Sequence, residues 1–338
     1  MKIIVTGATG FIGRNLAVEL HADGHEVIAT GRSESVGSEL EASGVEFHAA
    51  DLRDGAALRR AFRPADCVVH CAAKAGDWGT PAAFHEVNVA GTRHVVAACD
   101  ELGIRDVVFL SSPSIYYNGA DRLEVREDAK ISERHFTSYA KTKLASEREL
   151  LSGSAAGRRV IVFRPRAVYG PHDQILVPRI LALSERRRLP LINGGSALTD
   201  VTYVGNLVDA VRLALQAPSD AWNEIYNISN GEPISIADWF GTVLQIFDRP
   251  MKPRNVPVPV ARTVAWFSEI ASRLPFGPDK PMMTRFSVSY MAHSMTLSID
   301  KARTRLGYQP RVGNQEGFER YAAWVESTVG KERHGGGP

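Results

Sequence analysis

The chain has 338 residues, 44% hydrophobic and 23% charged, a globular composition long enough for one large or two fused domains with a substantial core. Forty basic and 38 acidic residues are spread along it for a net charge of +2, which argues against a nucleic-acid-binding surface or an acidic tail and leaves small molecules as partners. No run reaches the roughly 18–20 apolar residues that span a bilayer, so no transmembrane segment is expected.

KIIVTG, residues 2–7, is a compact apolar run ending in glycine. FIGRNLAVELHADG, 11–24, is a helix-length segment that Gly24 can close, and HEVIAT, 25–30, is a second apolar run. This reads as strand, helix, strand. The sequence opens on the first strand without the basic, apolar and small-residue regions of a secretory leader, and a cytoplasmic location is expected. Gly7, Gly10 and Gly13 lie between strand and helix, with Thr9 among them. Gly7 permits a tight turn, Gly10 lets backbone approach a pyrophosphate, and Gly13 lets the helix pack on the strand, its N-terminus facing the anion. A ribose-binding acid belongs roughly 20 residues further on. The second strand ends instead in ATGRSES: Gly31 stands where the carboxylate would be, and Arg32 and Ser33 follow. A guanidinium binds a 2′-phosphate that a carboxylate would repel, so NADP(H) is favoured over NAD(H); an ordinary solvated Arg32 is the alternative.

GVEFHAADLRD, closed by Asp51, and then DCVVHCAAKAG, DVVFLSS and RVIVFRP continue the apolar runs, with helical stretches between them. The alternation predicts an α/β fold, a Rossmann-type doubly wound parallel sheet that takes its ligand at the carboxyl ends of the strands. Arg32, Asp51, Ala72 to Lys74, and Ser111 with Ser112 all fall at such ends. The ten histidines show no ligand spacing, so no metal is expected. Cys67, Cys71 and Cys99 sit in or beside apolar runs and read as buried reduced thiols.

Tyr139 comes 27 residues after Ser112, in TSYAKTKLASE, and Lys143 follows one helical turn later on the same face. A tyrosine with an ordinary pKa near 10 is poorly poised at neutral pH, but a nearby ammonium and a cationic nicotinamide ring both favour its phenolate. Tyr139 then serves as general acid or base, Ser112 can hold the substrate oxygen, and Lys143 can also reach the nicotinamide ribose.

TGATGFIG, DLRD, HCAAKAG, NVAGT, LSSPSIYY, SYAKTK and FRPRAVYGP occur in this order, followed by DVTYVGNLVDA and DKARTRLGYQP. Over more than nine tenths of its length the chain resembles an extended short-chain dehydrogenase/reductase of the NAD-dependent epimerase/dehydratase family. The resemblance implies that Gly7, Gly10, Phe11, Ile12 and Gly13, with Thr9, line the pyrophosphate, and that Asp51 and Leu52 hold adenine. It places Ala72, Ala73 and Lys74 along the cofactor with Ser111, and Pro165 and Val168 near nicotinamide. Asn88 in NVAGT matches an asparagine that supports the catalytic site; from the residues alone, a helix cap or helix packing is as good a reading. The implied nucleotide-binding domain is 1–170, with 206–230 and about 293–310 returning to it. A smaller C-terminal α/β substrate domain takes 171–205 and 231–292, and 330–338 form a disordered tail. A homodimer is also implied, through the helices bearing NVAGTRHVVAACDEL and SYAKTKLASERELL. Val89, Val95, Val96, Leu144 and Leu151 are its candidate contacts, unless they pack on their own sheet.

The same catalytic residues serve nucleotide-sugar epimerisation and dehydration, reduction of 3-oxo acyl groups and oxidation of 3β-hydroxysteroids, and fold does not choose among them. Nucleotide-sugar relatives often have an asparagine where this chain has Ala167, an arginine where it has Thr199, and, in dehydratases, Asp-Glu where it has Pro113-Ser114. AAKAGDWG, SSPSIYYNG and the stretch from Met282 to Tyr308 resemble instead the branch of 3β-hydroxysteroid dehydrogenases and 2-alkyl-3-oxoalkanoate reductases, which handles bulky apolar alcohols and ketones. The expected function is an NAD(P)-dependent oxidoreductase interconverting such an alcohol and ketone. The alternatives are a nucleotide-sugar 4-epimerase/dehydratase and a non-enzymatic NADP-sensing regulator. Finally, Val260, Val264, Phe267, Ala271 and Leu274 form one apolar stripe in 259–276, opposed by Arg262, Glu269 and Arg273. The stripe could be core, lie on a membrane, or roof a substrate cleft with Trp266 or Phe267.

Overall fold

The computed structural model describes residues 1–131, 137–153, 157–185 and 189–334. Five strands open the central sheet: β1 (Lys2–Thr6), β2 (Glu26–Gly31), β3 (Glu46–Ala49), β4 (Cys67–His70) and β5 (Asp106–Leu110); Arg159–Pro165 and Glu224–Ile228 complete it. All neighbours pair in parallel, in the order Glu224–Ile228, Arg159–Pro165, β5, β4, β1, β2, β3. The order reverses between β4 and β1, the place where a doubly wound sheet opens a crevice at its carboxyl edge.

Helices cover both faces, which is why the strands read as continuous apolar runs rather than alternating ones. Ile3 and Val5 of β1 pack with Leu16 and Leu20 of α1 (Phe11–Ala22), and Ile4 between them points the other way, toward Leu58, Val95 and Leu150. Successive strand residues thus feed two separate cores.

A smaller four-stranded sheet runs in the order Ile234–Ser235, Leu198–Thr199, Met295–Leu297, Arg122–Val125. The sequence boundaries grouped 122–125 and 295–297 with the nucleotide-binding part, whereas both strands pair within this second sheet. Strands of two to four residues carry too little periodicity to assign by pattern. The helix Ile236–Ile246 buries Trp239, Phe240, Val243 and Leu244 against Val177, Ile180, Phe318 and Tyr321, so the last helix, Asn314–His334, closes this core. That helix includes the first residues of the expected tail, 330–334; residues 335–338 lie outside the described ones.

The stripe in 259–276 does not pack as core. The helix Val258–Ala271 buries Ala261, Ala265 and Glu269 and turns Val260, Val264 and Phe267 to solvent. The polar position wins because Glu269 is satisfied: its carboxylate accepts from the Arg285 amide at 2.7 Å and from Arg285 Nε at 2.9 Å. The two alanines meanwhile allow close approach of the helix Arg285–Ala292. Among the described residues no helix is long and apolar enough to cross a membrane.

Candidate active site

At Gly7 the backbone has φ +70°, and a Cβ there would lie 2.7 Å from the Ala72 Cα; at Gly13 a Cβ would lie 2.3 Å from the Gly7 carbonyl oxygen. Only glycine fits either position. Helix α1 begins after Gly10 with no side-chain cap, which leaves its first amides free for an anion, while Phe11 and Ile12 are half-buried beside them. The cradle fits a dinucleotide pyrophosphate. Thr9 Oγ1 accepts from the Arg32 amide at 3.2 Å, so the loop is tied to the end of β2.

A Cβ on Gly31 would stand 2.4 Å from Thr9 Oγ1, leaving no room for a carboxylate side chain unless Thr9 moves. Arg32 is exposed beside it, and Ser33 caps α2 (Glu34–Ala42), its Oγ accepting from the Val36 amide at 3.4 Å. The Asp51 carboxylate is gripped by Arg53, whose amide donates at 2.9 Å and Nη2 at 2.8 Å; chiefly these side-chain bonds hold its pKa below the usual value. Leu52 is buried, and its carbonyl meets His94 Nδ1 at 2.7 Å.

Asn88 is buried and bridges two parts of the site. It accepts from the Lys74 amide at 2.7 Å, and its Nδ2 donates to the Lys74 carbonyl at 3.1 Å and to Thr142 Oγ1 at 2.9 Å. It therefore fixes the Ala72–Lys74 loop, Ala73 included, against the helix Ser138–Ser152, a positioning contact. The Lys74 ammonium lies 5.4 Å from the centre of the Phe84 ring.

Thr137 caps the helix Ser138–Ser152, its Oγ1 accepting from the Ala140 amide at 3.1 Å, and this sets Tyr139 and Lys143 one turn apart. Ser112 follows β5; its Oγ donates to Ser114 Oγ at 3.0 Å and accepts from the Ser114 amide at 3.2 Å. Burial raises the pKa of Tyr139, and a hydrogen bond with Ser112 works against that rise. The expected help from an ammonium is not what the side chains show. Lys143 Nζ donates to the Leu110 carbonyl and lies 4.0 Å from the centre of the Phe109 ring. Burial pushes Lys143 down to about 7.

A folded-state pKa below the unfolded one means that the unfolded chain binds more protons between the two values. The Lys143 contribution to stability is therefore most unfavourable at or below pH about 7 and is relieved as pH rises toward the ordinary lysine value of 10.5. Lys143→Met should stabilise the protein most at or below pH 7, with the gain shrinking toward pH 10. Urea midpoints across that range check this; a pH-independent gain would contradict it.

Ser111 is buried and uses its donors elsewhere: its hydroxyl donates to Glu147 and its amide to the Phe163 carbonyl at 2.7 Å. Glu147 and Arg164 are a buried ion pair, with Arg164 Nε donating to Glu147 Oε1 at 3.0 Å and both side chains at most 2% exposed. The pair joins the end of β5, the helix one turn beyond Lys143 and the strand Arg159–Pro165.

A cavity of about 500 Å³ opens over Ser112 and Tyr139. Pro165 and Arg166 line it; Val168 does not, packing instead toward the central sheet. Its walls are largely apolar, with Leu176, Ile180 and Leu183 from one helix and Phe286, Tyr290 and Met291 from another. No residue of 259–276 lines it, so the expected roof is replaced by the helix Arg285–Ala292, and Phe267 is 60% exposed. The sequence reading missed these walls, although the apolar run in LVPRILALS and the i, i+4 pair Phe286 and Tyr290 were visible signals.

Arg166 was also missed. It is only 3% exposed, its Nη2 donating to Tyr117 Oη at 2.6 Å and to Thr199 Oγ1 at 3.0 Å. The guanidinium lies between the Tyr117 and Tyr290 rings, 5.3 and 4.5 Å from their centres. Among the described residues it forms no ion pair, and its Nε has no partner. Asp200 is the nearby acid; burial pushes its carboxyl up to about 6, and its Oδ2 is occupied by the Leu297 amide at 2.6 Å.

Val89, Val95 and Leu144 are buried within the chain, Val95 against the central sheet, and so are not available to a partner; Val96 and Leu151 are half-buried. The three cysteines are free thiols, and burial pushes the Cys71 and Cys99 pKa values up to about 12. Among the described residues no group of three His, Cys, Asp or Glu could hold a metal ion.

The NAD dependent epimerase/dehydratase family matches over residues 3–229. The chain is 34% identical to 2-alkyl-3-oxoalkanoate reductase of Stenotrophomonas maltophilia over 96% of its own length and 99% of that protein. It is 30% identical to 3beta-hydroxysteroid-dehydrogenase/decarboxylase isoform 1 of Arabidopsis thaliana, covering 94% of this chain and 78% of that one. Among solved structures, UDP-glucose 4-epimerase of Thermotoga maritima superposes with a TM-score of 0.78 at 22% identity over 97% of this chain and all of that one, a likeness of fold.

Proposed function

Because the chain belongs to the NAD dependent epimerase/dehydratase family and is an oxidoreductase, we propose that it interconverts the ketone and secondary alcohol of a bulky apolar 3-oxo acid, using NADP(H). The observation that carries this reading is the cavity: apolar walls, Ser112 and Tyr139 at its base, and one buried cation, Arg166, without an ion-pair partner among the described residues. The Stenotrophomonas reductase is named for an oxoalkanoate and the Arabidopsis enzyme for decarboxylation, so both names imply a carboxylate on an apolar substrate.

When bound, the nicotinamide supplies or takes up the hydride. In reduction Ser112 Oγ holds the carbonyl oxygen, polarising it, and Tyr139 Oη donates the proton that makes the alcohol. The Tyr139 phenolate then regains a proton from solvent in the cavity that Tyr139 lines. Asn88 keeps the helix carrying both residues in register with the Ala72–Lys74 loop. Arg166 receives the carboxylate, since a buried guanidinium is stabilised by an anion that arrives with fixed geometry.

Arg166→Met should raise KM for a 2-alkyl-3-oxo acid about tenfold or more and leave KM for its methyl ester nearly unchanged, a charge-assisted hydrogen bond being worth roughly 1.5–3 kcal/mol. Steady-state kinetics on the acid and ester pair test this. Equal effects on both would remove Arg166 from carboxylate recognition, and failure of the parent enzyme on both would remove the oxo-acid reading itself. The same guanidinium lies against Thr199, the position of an arginine in nucleotide-sugar relatives, so a sugar diphosphate is the second reading and UDP-glucose its probe.

Cofactor choice follows from the end of β2. With Gly31 crowded by Thr9 and Arg32 exposed, NADPH should bind more tightly than NADH, and Arg32→Ala should remove the preference. Fluorescence titration decides it; equal affinities in the parent protein would place Arg32 outside the site. We further infer a cytoplasmic homodimer whose contact uses the exposed side of the helices Gly91–Leu102 and Ser138–Ser152, where Arg93 Nε donates to Glu149 at 3.0 Å.

A further inference from the structure

Eight of the twelve large apolar side chains that are exposed among the described residues fall between Val260 and Met282, which makes one patch rather than scattered singles. Trp266, Phe267, Ile270, Leu274 and Phe276 are its centre, with the Trp266 and Phe267 rings 4.8 Å apart. The helix Val258–Ala271 holds Trp266, Phe267 and Ile270 outward because its opposite side is fixed by Ala261, Ala265 and the Glu269–Arg285 pair, and Leu274 and Phe276 follow its end.

Two further observations say what covers this patch. The first is charge. Residues 249–285 hold seven basic and two acidic residues, five net positive charges in a chain whose total is +2. Glu269, one of the two acids, is buried and paired, while Arg262, Arg273 and Lys280 are exposed in the same segment as the aromatic pair. A second copy of the chain in a two-fold contact would set this basic rim against itself. The second observation is continuity with the cavity. Met282 and Ile175 are both exposed and both line it, so the patch runs to the mouth of the apolar cavity.

We propose that this face seats on an anionic lipid surface. The aromatic pair and Leu274 enter the headgroup boundary, the arginines and Lys280 meet lipid phosphates, and the helix lies in the interface rather than crossing it. On the oxo-acid reading above, a lipid-dissolved substrate then passes Met282 and Ile175 into the cavity; the seating itself does not depend on that reading.

Flotation of the full chain with vesicles of phosphatidylglycerol and phosphatidylcholine, against phosphatidylcholine alone, tests the proposal. The protein should float with the anionic vesicles, less so as salt is raised. Trp266→Ser with Phe267→Ser should cut the bound fraction about tenfold. Since both side chains are exposed, the double variant should keep the parent thermal unfolding and its turnover of a short, water-soluble 3-oxo acid. Arg262→Glu with Arg273→Glu should remove the preference for anionic vesicles. Absence of binding to anionic vesicles, or parent-like binding by the serine variant, would overturn the proposal, as would self-association in sedimentation that the serine variant abolishes. Because no substrate is present in the flotation, its failure would leave the oxo-acid reading standing.

Discussion

Tyr139→Phe is expected to lower kcat by about 10²–10⁴-fold, the range supplied by a positioned general acid, while the affinity for reduced cofactor stays close to that of the parent. The variant removes one hydroxyl from the base of the cavity and keeps the ring, which packs 6.5 Å from Phe84. The Ser114 amide still donates to Ser112 Oγ and holds that oxygen in place, so the Ser112 proton can turn to the carbonyl and polarise it, which accounts for a residual rate. Single-turnover reduction, with cofactor binding measured separately, checks this. A variant retaining more than about a tenth of the parent rate would show that the proton comes from another group.

Arg164→Met should cost about 3–5 kcal/mol of stability, because it leaves Glu147 charged and buried without its partner. Arg164 Nη1 also donates to Tyr116 Oη, and Ser111 donates to Glu147, so the loss reaches the end of β5 as well as the helix that carries Tyr139. Urea unfolding measures the cost. Pairing Arg164→Met with Glu147→Leu should recover most of it, since two apolar side chains of suitable volume leave no buried charge. A loss below about 1 kcal/mol in the single variant would place the pair in solvent contact.

The central sheet was readable because a strand buried on both faces is a continuous apolar run, and the glycine turn after β1 and the helix that sets Tyr139 and Lys143 one turn apart were readable because they follow from local turns and one helical repeat. What the sequence hid depends on contacts far along the chain. The Glu269 position looked like the wet side of a helix, yet Arg285, sixteen residues away, lets it be buried and turns the apolar stripe outward. Lys143 was paired with Tyr139 by spacing alone, whereas the fold supplies the Leu110 carbonyl as its nearer acceptor. Thr199 read as a lost cation, and the fold returns one through Arg166, thirty-three residues earlier in the chain. The departure was legible, but its replacement required the packing of Tyr117 and Tyr290 around the guanidinium.

The most direct test of the account is the absorbance of NADPH followed while the parent protein meets a 2-alkyl-3-oxo acid, with UDP-glucose as the parallel substrate. Steady oxidation of NADPH with the oxo acid, and no epimerised sugar from UDP-glucose, is the predicted result. Epimerisation of UDP-glucose with no NADPH oxidation by any 3-oxo acid would contradict it and assign the cavity to a nucleotide sugar.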